Sequence, residues 1–353
     1  MAIYAFWNNK GGVGKSYLTF QIASEYARQH PEKKVLVLDA CPQANSSSML
    51  LGGMFNGESK LGDIHSAQRP KKTISGYIDE RIVSPYVSPK KGADYVVNVS
   101  SYNERVPSNV YLVVGDEELE IQASRVLAAL NAGPDDSWRI VHLWFRDLID
   151  DILNSWGNVD TCVFIDCNPS FSIYTELAMT AAERLLIPFS ADGSSKRAVK
   201  AVLSLLYGVT RHQGEAQSEF FLSSNRYRMS FPQIYMYIGN RLTQMNKSSA
   251  SAFKTVVNEI GEEIWSVWTT NANQFCIHPG GATTPTSKRA FKKMFQYEVN
   301  DANTASVVSG ALGIPIAILR SGPKIVGGKN ITVNQSQLDK QVPNVTALVS
   351  CIE

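Results

Sequence analysis

The chain has 353 residues, 44% of them hydrophobic, which is enough to bury one large α/β core or two modest ones and excludes a disordered chain. Thirty-four Lys and Arg stand against 32 Asp and Glu, a formal net charge of +2, so no global cationic field exists and any contact with nucleic acid must come from a local patch. The five cysteines, Cys41, Cys162, Cys167, Cys276 and Cys351, lack the clustering of a zinc or iron-sulfur site and fit a reducing compartment.

Ile3 to Trp7 is a short apolar run that ends at Asn8, followed by a glycine-rich loop and a periodic segment from Tyr17 to about His30, which predicts strand, loop, helix. Lys34 to Leu38 predicts a second buried strand closed by Asp39, completing a right-handed βαβ unit. Met49 to Leu61 reads as loop and weak helix, Ile74 to Ile82 as helix, and Pro85 to Asp94 as loop. Strands are expected at Tyr95 to Val99 and Val110 to Val114, then helices at Glu117 to Leu130 and Trp138 to Trp156.

The most apolar strand, Thr161 to Ile165, ends at Asp166. Helix Thr175 to Ala182, strand Arg184 to Pro188, helix Ser195 to Tyr207, strand Ile234 to Ile238 and helix Ala250 to Trp265 follow. The aromatic stretch Phe220 to Tyr237 reads as a strand and its flanks. Lys288 to about Phe295 is helical, and a short strand pair is expected at Lys324 to Val326 and Asn330 to Val333. Alternating strands and helices of this spacing predict one α/β domain over residues 1–353, a predominantly parallel sheet with helices on both faces, elaborated from about Gly322. Ligands of such sheets sit beyond the carboxyl ends of the strands, here closed by Asn8, Asp39, Asp166 and Asn240.

The strongest chemical signal is Gly11-Gly12-Val13-Gly14-Lys15-Ser16, preceded by Lys10 and followed by Tyr17. Glycines let consecutive backbone N–H groups turn toward phosphate oxygens, a lysine reaches the β and γ phosphates, and a Ser hydroxyl holds Mg²⁺. The helix that begins near Lys15 adds its positive end. The expected cofactors are therefore ATP and Mg²⁺, with Asp166 as a metal-holding carboxylate and Asp39 in the metal shell, although an aspartate in either place can instead cap a helix. Two cations, Lys10 and Lys15, beside a transferring phosphoryl group would offset its developing charge.

KGGVGKS resembles the deviant Walker A motif of the ParA/MinD/Soj group of P-loop ATPases. LVLDACPQANSS (Leu36 to Ser47) resembles that family's second aspartate-bearing segment, VFIDCNPS (Val163 to Ser170) its Walker B segment, and YIGNR (Tyr237 to Arg241) its adenine-contacting segment. The resemblance implies a P-loop NTPase fold and a switch in which ATP promotes a homodimer and hydrolysis dissolves it. It further implies that Lys10 reaches the partner's nucleotide while Lys15 acts in its own subunit, and that Asn240 and Arg241 meet adenine. The family's segment usually holds two aspartates one residue apart, the later one associated with the hydrolytic water. Here the earlier is Asp39 and the later position is Cys41. A neutral thiol cannot hold water as a carboxylate does, so slow hydrolysis is expected, or a water placed by another group such as Gln43.

The chain starts at the phosphate loop, so no N-terminal helix-turn-helix domain is expected, and with it no operator-specific reading. The leading expectation is a partition or positioning ATPase whose ATP dimer binds DNA without sequence preference and is released by a ParB-like or adaptor protein. Lys288, Arg289, Lys292 and Lys293 are the candidate DNA contacts, joined by Lys196, Arg197 and Lys200, though such a cluster can equally be a solvated helix face. The alternative is an ATPase of the same group acting on a protein or a membrane. The segment Val342 to Glu353 contains no Lys or Arg, which argues against a membrane. A metallocluster carrier is disfavoured because no cysteine pair has CxxC spacing. A cytoplasmic location is expected, on the nucleoid if DNA is bound.

Overall fold

Residues buried on both sides of a sheet read as continuous apolar runs, and three such runs occupy its middle. The computed structural model describes residues 1–67, 71–131, 133–157, 159–190, 192–210, 215–242 and 247–353, with the backbone alone described at 241–242 and 247–253. In chain order the larger elements of the first half are β1 (Ala2–Phe6), α1 (Lys15–Gln29), β2 (Lys34–Ala40), α2 (Asn45–Leu51), α3 (Gly53–Ala67), α4 (Ile74–Val83), β3 (Val97–Asn98), β4 (Val110–Val113), α5 (Glu118–Asn131), α6 (Ser137–His142) and α7 (Trp144–Ser155). The second half holds β5 (Thr161–Cys167), α8 (Ile173–Ala181), β6 (Arg184–Ser190), α9 (Gly193–Tyr207), α10 (Glu219–Arg226), β7 (Gln233–Leu242), α11 (Lys247–Thr270), α12 (Lys288–Phe295), β8 (Gln296–Asn300), α13 (Thr304–Leu312), β9 (Gly322–Val326), β10 (Lys329–Val333) and α14 (Gln335–Val349).

The main sheet has the order β3-β4-β2-β5-β1-β6-β7-β8 and is parallel except for β3. Strand alternation sends Ile3, Ala5 and Trp7 to one core layer and Ala2, Tyr4 and Phe6 to the other. The first layer is covered by α4 to α9, α11 and α12, and the second by α1, α2, α3, α13 and α14. The expected α/β class and predominantly parallel sheet are therefore what the chain forms. β1 lies between β5 and β6, while its own helix crosses to β2, so the loop after β1 sits where the connections diverge and a crevice opens. Register then decides the site: Asp39 of β2 pairs directly with Asp166 of β5, and Phe6 of β1 flanks Asp166 on the other side.

Several segments differ from expectation for identifiable reasons. The region 49–61 forms two firm helices despite its glycines, because those glycines are packing surfaces. A side chain on Gly57 would run into the Ser48 carbonyl, and one on Gly53, whose φ is +91°, into the carbonyl of Ala311. The single helix expected at 138–156 is broken at Leu143 into α6 and α7. The strand expected at 95–99 shrinks to two residues, and 219–226, read as strand flank, is helix α10, capped by Ser218 accepting from the Phe221 N–H at 3.1 Å. The segment after Gly322 forms the β9–β10 hairpin and α14, which lies along α1: the Thr346 hydroxyl donates to Glu25 at 3.0 Å and Gln29 donates to the Thr346 carbonyl at 3.3 Å.

Candidate nucleotide site and basic surface

The loop between β1 and α1 has the backbone that phosphate binding needs. Gly12 and Gly14 have φ of +75° and +86°, a left-handed conformation that L side chains rarely adopt. Helix α1 begins on Gly14 with no side-chain cap and no acid in its first turn, which leaves its first N–H groups open to an anion. Gly11 and Gly12 face open space. Val13 is buried, and its carbonyl accepts the Asn240 amide at 2.9 Å, so Asn240 ties the end of β7 to the loop. The side chain of Arg241 lies outside the described residues. Tyr17 turns away from the loop: its buried phenol, pushed up to about 12 by burial, meets Gln341 at 3.4 Å and faces Ser306 and Ser309. Only the Tyr17 backbone remains available to a phosphate.

Lys15 is buried, and its ammonium donates back to the carbonyls of Asn8 at 3.3 Å and Lys10 at 3.0 Å. Burial lowers its pKa while the nearby Asp166 carboxylate opposes that shift. Asp166 is fully buried, and neither of its oxygens has a hydrogen-bond partner among the described residues. Burial and the adjacent Asp39 push its pKa up to about 7, while the Ser16 and Ser46 hydroxyls and Lys15 pull the other way. The Ser46 hydroxyl, near both aspartates, is also buried and makes no well-formed hydrogen bond among the described residues. Orphaned polar atoms of this kind are costly, and an oxygen-seeking cation beside Ser16 would satisfy the carboxylate. Mg²⁺ takes one or two carboxylates and completes its shell with phosphate and water, so these residues fit it.

Asp39, expected in the metal shell beside Asp166, also holds its own loop. Its Oδ2 accepts from the Ser47 N–H at 2.9 Å and the Ser47 hydroxyl at 2.7 Å, and its Oδ1 accepts from the Cys41 N–H at 3.1 Å. Gly115, at the end of β4, donates its N–H to the Ser47 hydroxyl at 3.0 Å, and a Cβ there would sit 2.9 Å from the Asp39 carboxyl carbon. Cys41 is 4% exposed, and its thiol is pushed up to about 12 by burial and by both aspartates, so it stays neutral. Gln43 is exposed and accepts from Asn45 at 3.1 Å.

Lys10 points away from the loop toward the start of α9. Its ammonium pairs with Asp192 and donates to the hydroxyls of Ser190 at 3.2 Å and Ser195 at 3.4 Å. Asp192 also caps α9, accepting from the N–H groups of Ser194 at 3.0 Å and Ser195 at 3.2 Å, and these contacts hold its carboxyl well below the usual range against a desolvation that opposes them. The sequence reading missed Ser46, Ser47, Gly115 and Asp192. The Asn-Ser-Ser-Ser run after Asp39 and the Asp-Gly-Ser-Ser run at 192–195 were the available signals.

The basic residues gather as expected on helices. Lys288, Arg289, Lys292 and Lys293 lie on α12 and Lys196, Arg197 and Lys200 on α9, with α11 packed between the two. Arg197, Arg289 and Lys293 are exposed. Among the described residues no helix is long and apolar enough to cross a membrane, and no group of three metal-ligating His, Cys, Asp or Glu side chains occurs.

Comparison with known proteins agrees with this geometry. A family model described as an AAA domain matches residues 1–219. The chromosome partitioning protein ParA of Caulobacter vibrioides is 26% identical over 192 residues, which are 54% of this chain and 57% of that protein. The chain thus spans just over half the length of that curated relative. Among solved structures, apo McdA from Cyanothece superposes with a TM-score of 0.58 at 15% identity, covering 98% of each chain. The ATP complex of a single-residue variant of Cyanothece McdA gives 0.57 at 15% identity, over 100% of this chain and 98% of that one. The ParA of pNOB8 gives 0.50 at 16% identity, over 84% of this chain and 80% of that one. These structural likenesses concern the fold. With a phosphate loop carrying two lysines, an aspartate at the end of the central strand and the family match over most of the sheet, the chain belongs to the AAA-domain family and, within it, to the ParA/MinD/Soj group of deviant Walker A P-loop ATPases.

Proposed function

We propose that the protein is a Mg-ATP-dependent dimerising switch that hydrolyses ATP slowly and, in its ATP state, binds DNA without sequence preference to partition DNA or position a cargo. The observation that carries the reading is the buried Asp166 carboxylate, unpartnered among the described residues and near enough to Lys15 for the two charges to act on each other. Ser16 and Asp166 would hold Mg²⁺, which when bound neutralises charge on the β and γ phosphates. The loop N–H groups and Lys15 would bind and orient the phosphates. Asp39, held by Ser47, would keep the neighbouring loop in register. A ParB-like or adaptor protein would stimulate hydrolysis, and the protein would work in the cytoplasm.

The test is fluorescence anisotropy with unrelated duplex DNA in Mg²⁺ with ATP or ADP, across a salt series. Tight binding with ATP only, weakening steeply with salt, is expected, because each neutralised phosphate releases counterions. Binding in neither state would move the target to a protein or a membrane.

Lys10 supplies a second expectation. If it acts across the dimer it must leave Asp192. Asparagine caps a helix about as well as aspartate but carries no charge. Asp192→Asn should therefore preserve α9 while releasing Lys10, and ATP-dependent dimerisation should tighten roughly 3- to 10-fold, the scale of one partly exposed charged contact. Sedimentation or light scattering reads this, and unchanged or weaker dimerisation would count against a restraining contact.

A further inference from the structure

Three of the basic residues of α9 and α12, Lys196, Lys200 and Lys288, are not free cations. Helix α11 lies between them and presents carboxylates to both sides. Glu259 accepts Lys196 at 3.0 Å and Glu263 accepts Lys200 at 2.6 Å, both toward α9. Toward α12, Glu262 pairs with Lys288, and Asn258 accepts the Lys292 ammonium at 3.1 Å. The spacing 259, 262 and 263 puts the three acids on one stripe of a helix. That stripe divides its contacts between the two basic rows.

We propose that the acidic stripe of α11 is a built-in screen over the DNA-binding surface, occupying with carboxylates the lysines that would otherwise take phosphates. The proposal rests on the DNA-binding reading above and adds what sets its strength. The side chains involved are neither sealed nor free: Glu259, Glu262 and Glu263 are 48%, 52% and 29% exposed, and their lysine partners 33%, 39% and 22%. Exposed ion pairs are weak and salt-sensitive, so a lysine can exchange a carboxylate for a phosphate at small cost. The carboxylate left behind then repels the DNA. With the screen in place the cations that carry no ion pair among the described residues are Arg289, Lys292 and Lys293 on α12, Lys292 meeting only the neutral Asn258 amide, and Arg197 on α9. The screen therefore holds both the affinity and the number of phosphates neutralised below what the lysine count suggests.

The experiment compares wild type, the triple variant Glu259→Gln/Glu262→Gln/Glu263→Gln, and a charge-matched control, Asp63→Asn/Asp94→Asn/Glu104→Gln. The control residues are exposed, lie on α3 or near the β3 edge, and form no ion pair among the described residues. All three proteins are first checked for Mg-ATP binding and thermal unfolding, and DNA binding is then read against salt. The stripe variant should bind at least about 10-fold tighter at moderate salt, with a salt slope steeper by about 2 to 3, because three lysines become free for phosphate. The control should shift little. Equal gains in both variants would reduce the effect to net charge and overturn the screen, as would no gain in the stripe variant. If no protein binds DNA at any salt, the DNA-binding reading falls, and the screen with it.

Discussion

Asparagine in place of Asp166 should abolish Mg-dependent ATP turnover and at the same time make the nucleotide-free protein more stable. The two effects have one origin. Asp166 is fully buried, has no hydrogen-bond partner on either oxygen among the described residues, and stands in register beside Asp39. Without a cation the carboxylate is held in a dry site beside a second one, and burial first, with repulsion by Asp39 added to it, raises Asp166 to about 7. Asparagine removes the charge at almost constant volume and brings an amide donor toward the buried Ser46 hydroxyl. Relief of an unsatisfied buried polar group is worth about 1–3 kcal/mol, which for a chain of this length is a rise of about 1–4 °C in the unfolding midpoint. The same change removes the unengaged carboxylate beside the loop lysine, so turnover should fall about 100-fold or more. Thermal unfolding with and without Mg-ATP, beside a phosphate-release assay, reads both. A variant that keeps the wild-type stabilisation by Mg-ATP would show that the metal is held elsewhere.

The central strands and the phosphate loop could be read from sequence because each is a local pattern with a strong physical cause. Burial on both faces makes Ile3 to Trp7, Lys34 to Leu38 and Thr161 to Ile165 continuous apolar runs, and the glycines of the loop have no cheaper substitute. β8 escaped because it is an edge strand in which only Val299 is buried, so Gln296 to Asn300 shows no apolar run. The pairs that organise the site escaped for a different reason. Lys10 meets Asp192 and Asp39 answers to Gly115 through Ser47, contacts that exist only once β6 and β4 lie near the loops after β1 and β2. Nor could composition show that the Ser47 and Cys41 N–H groups hold one oxygen each of Asp39 and so fix the loop after β2. The acidic stripe of α11 was hidden likewise, since its glutamates look like any solvated helix face until α9 and α12 pack against them.

Aspartate at position 41 should raise ATP turnover by about 10-fold or more, the lower end of what a positioned proton acceptor contributes. Cys41 sits in the loop held by Asp39, is 4% exposed, and is kept a neutral thiol by burial and by the two aspartates. It can neither accept a proton from water nor fix one by a charged hydrogen bond. A carboxylate there would do both, at a cost that locates it: a third acid near Asp39 and Asp166 should lower the stability of the nucleotide-free protein, and Mg-ATP should restore more of it than in wild type. Cys41→Asn separates charge from polarity, because it offers hydrogen bonds without a base and should leave turnover near wild type. If Cys41→Asp leaves turnover unchanged while the Mg-ATP-dependent stabilisation grows, the new carboxylate has reached the metal and not the water. The water would then be placed by another group. Exposed Gln43, two residues along the same loop and held by Asn45, becomes the side chain whose replacement by alanine must reduce turnover.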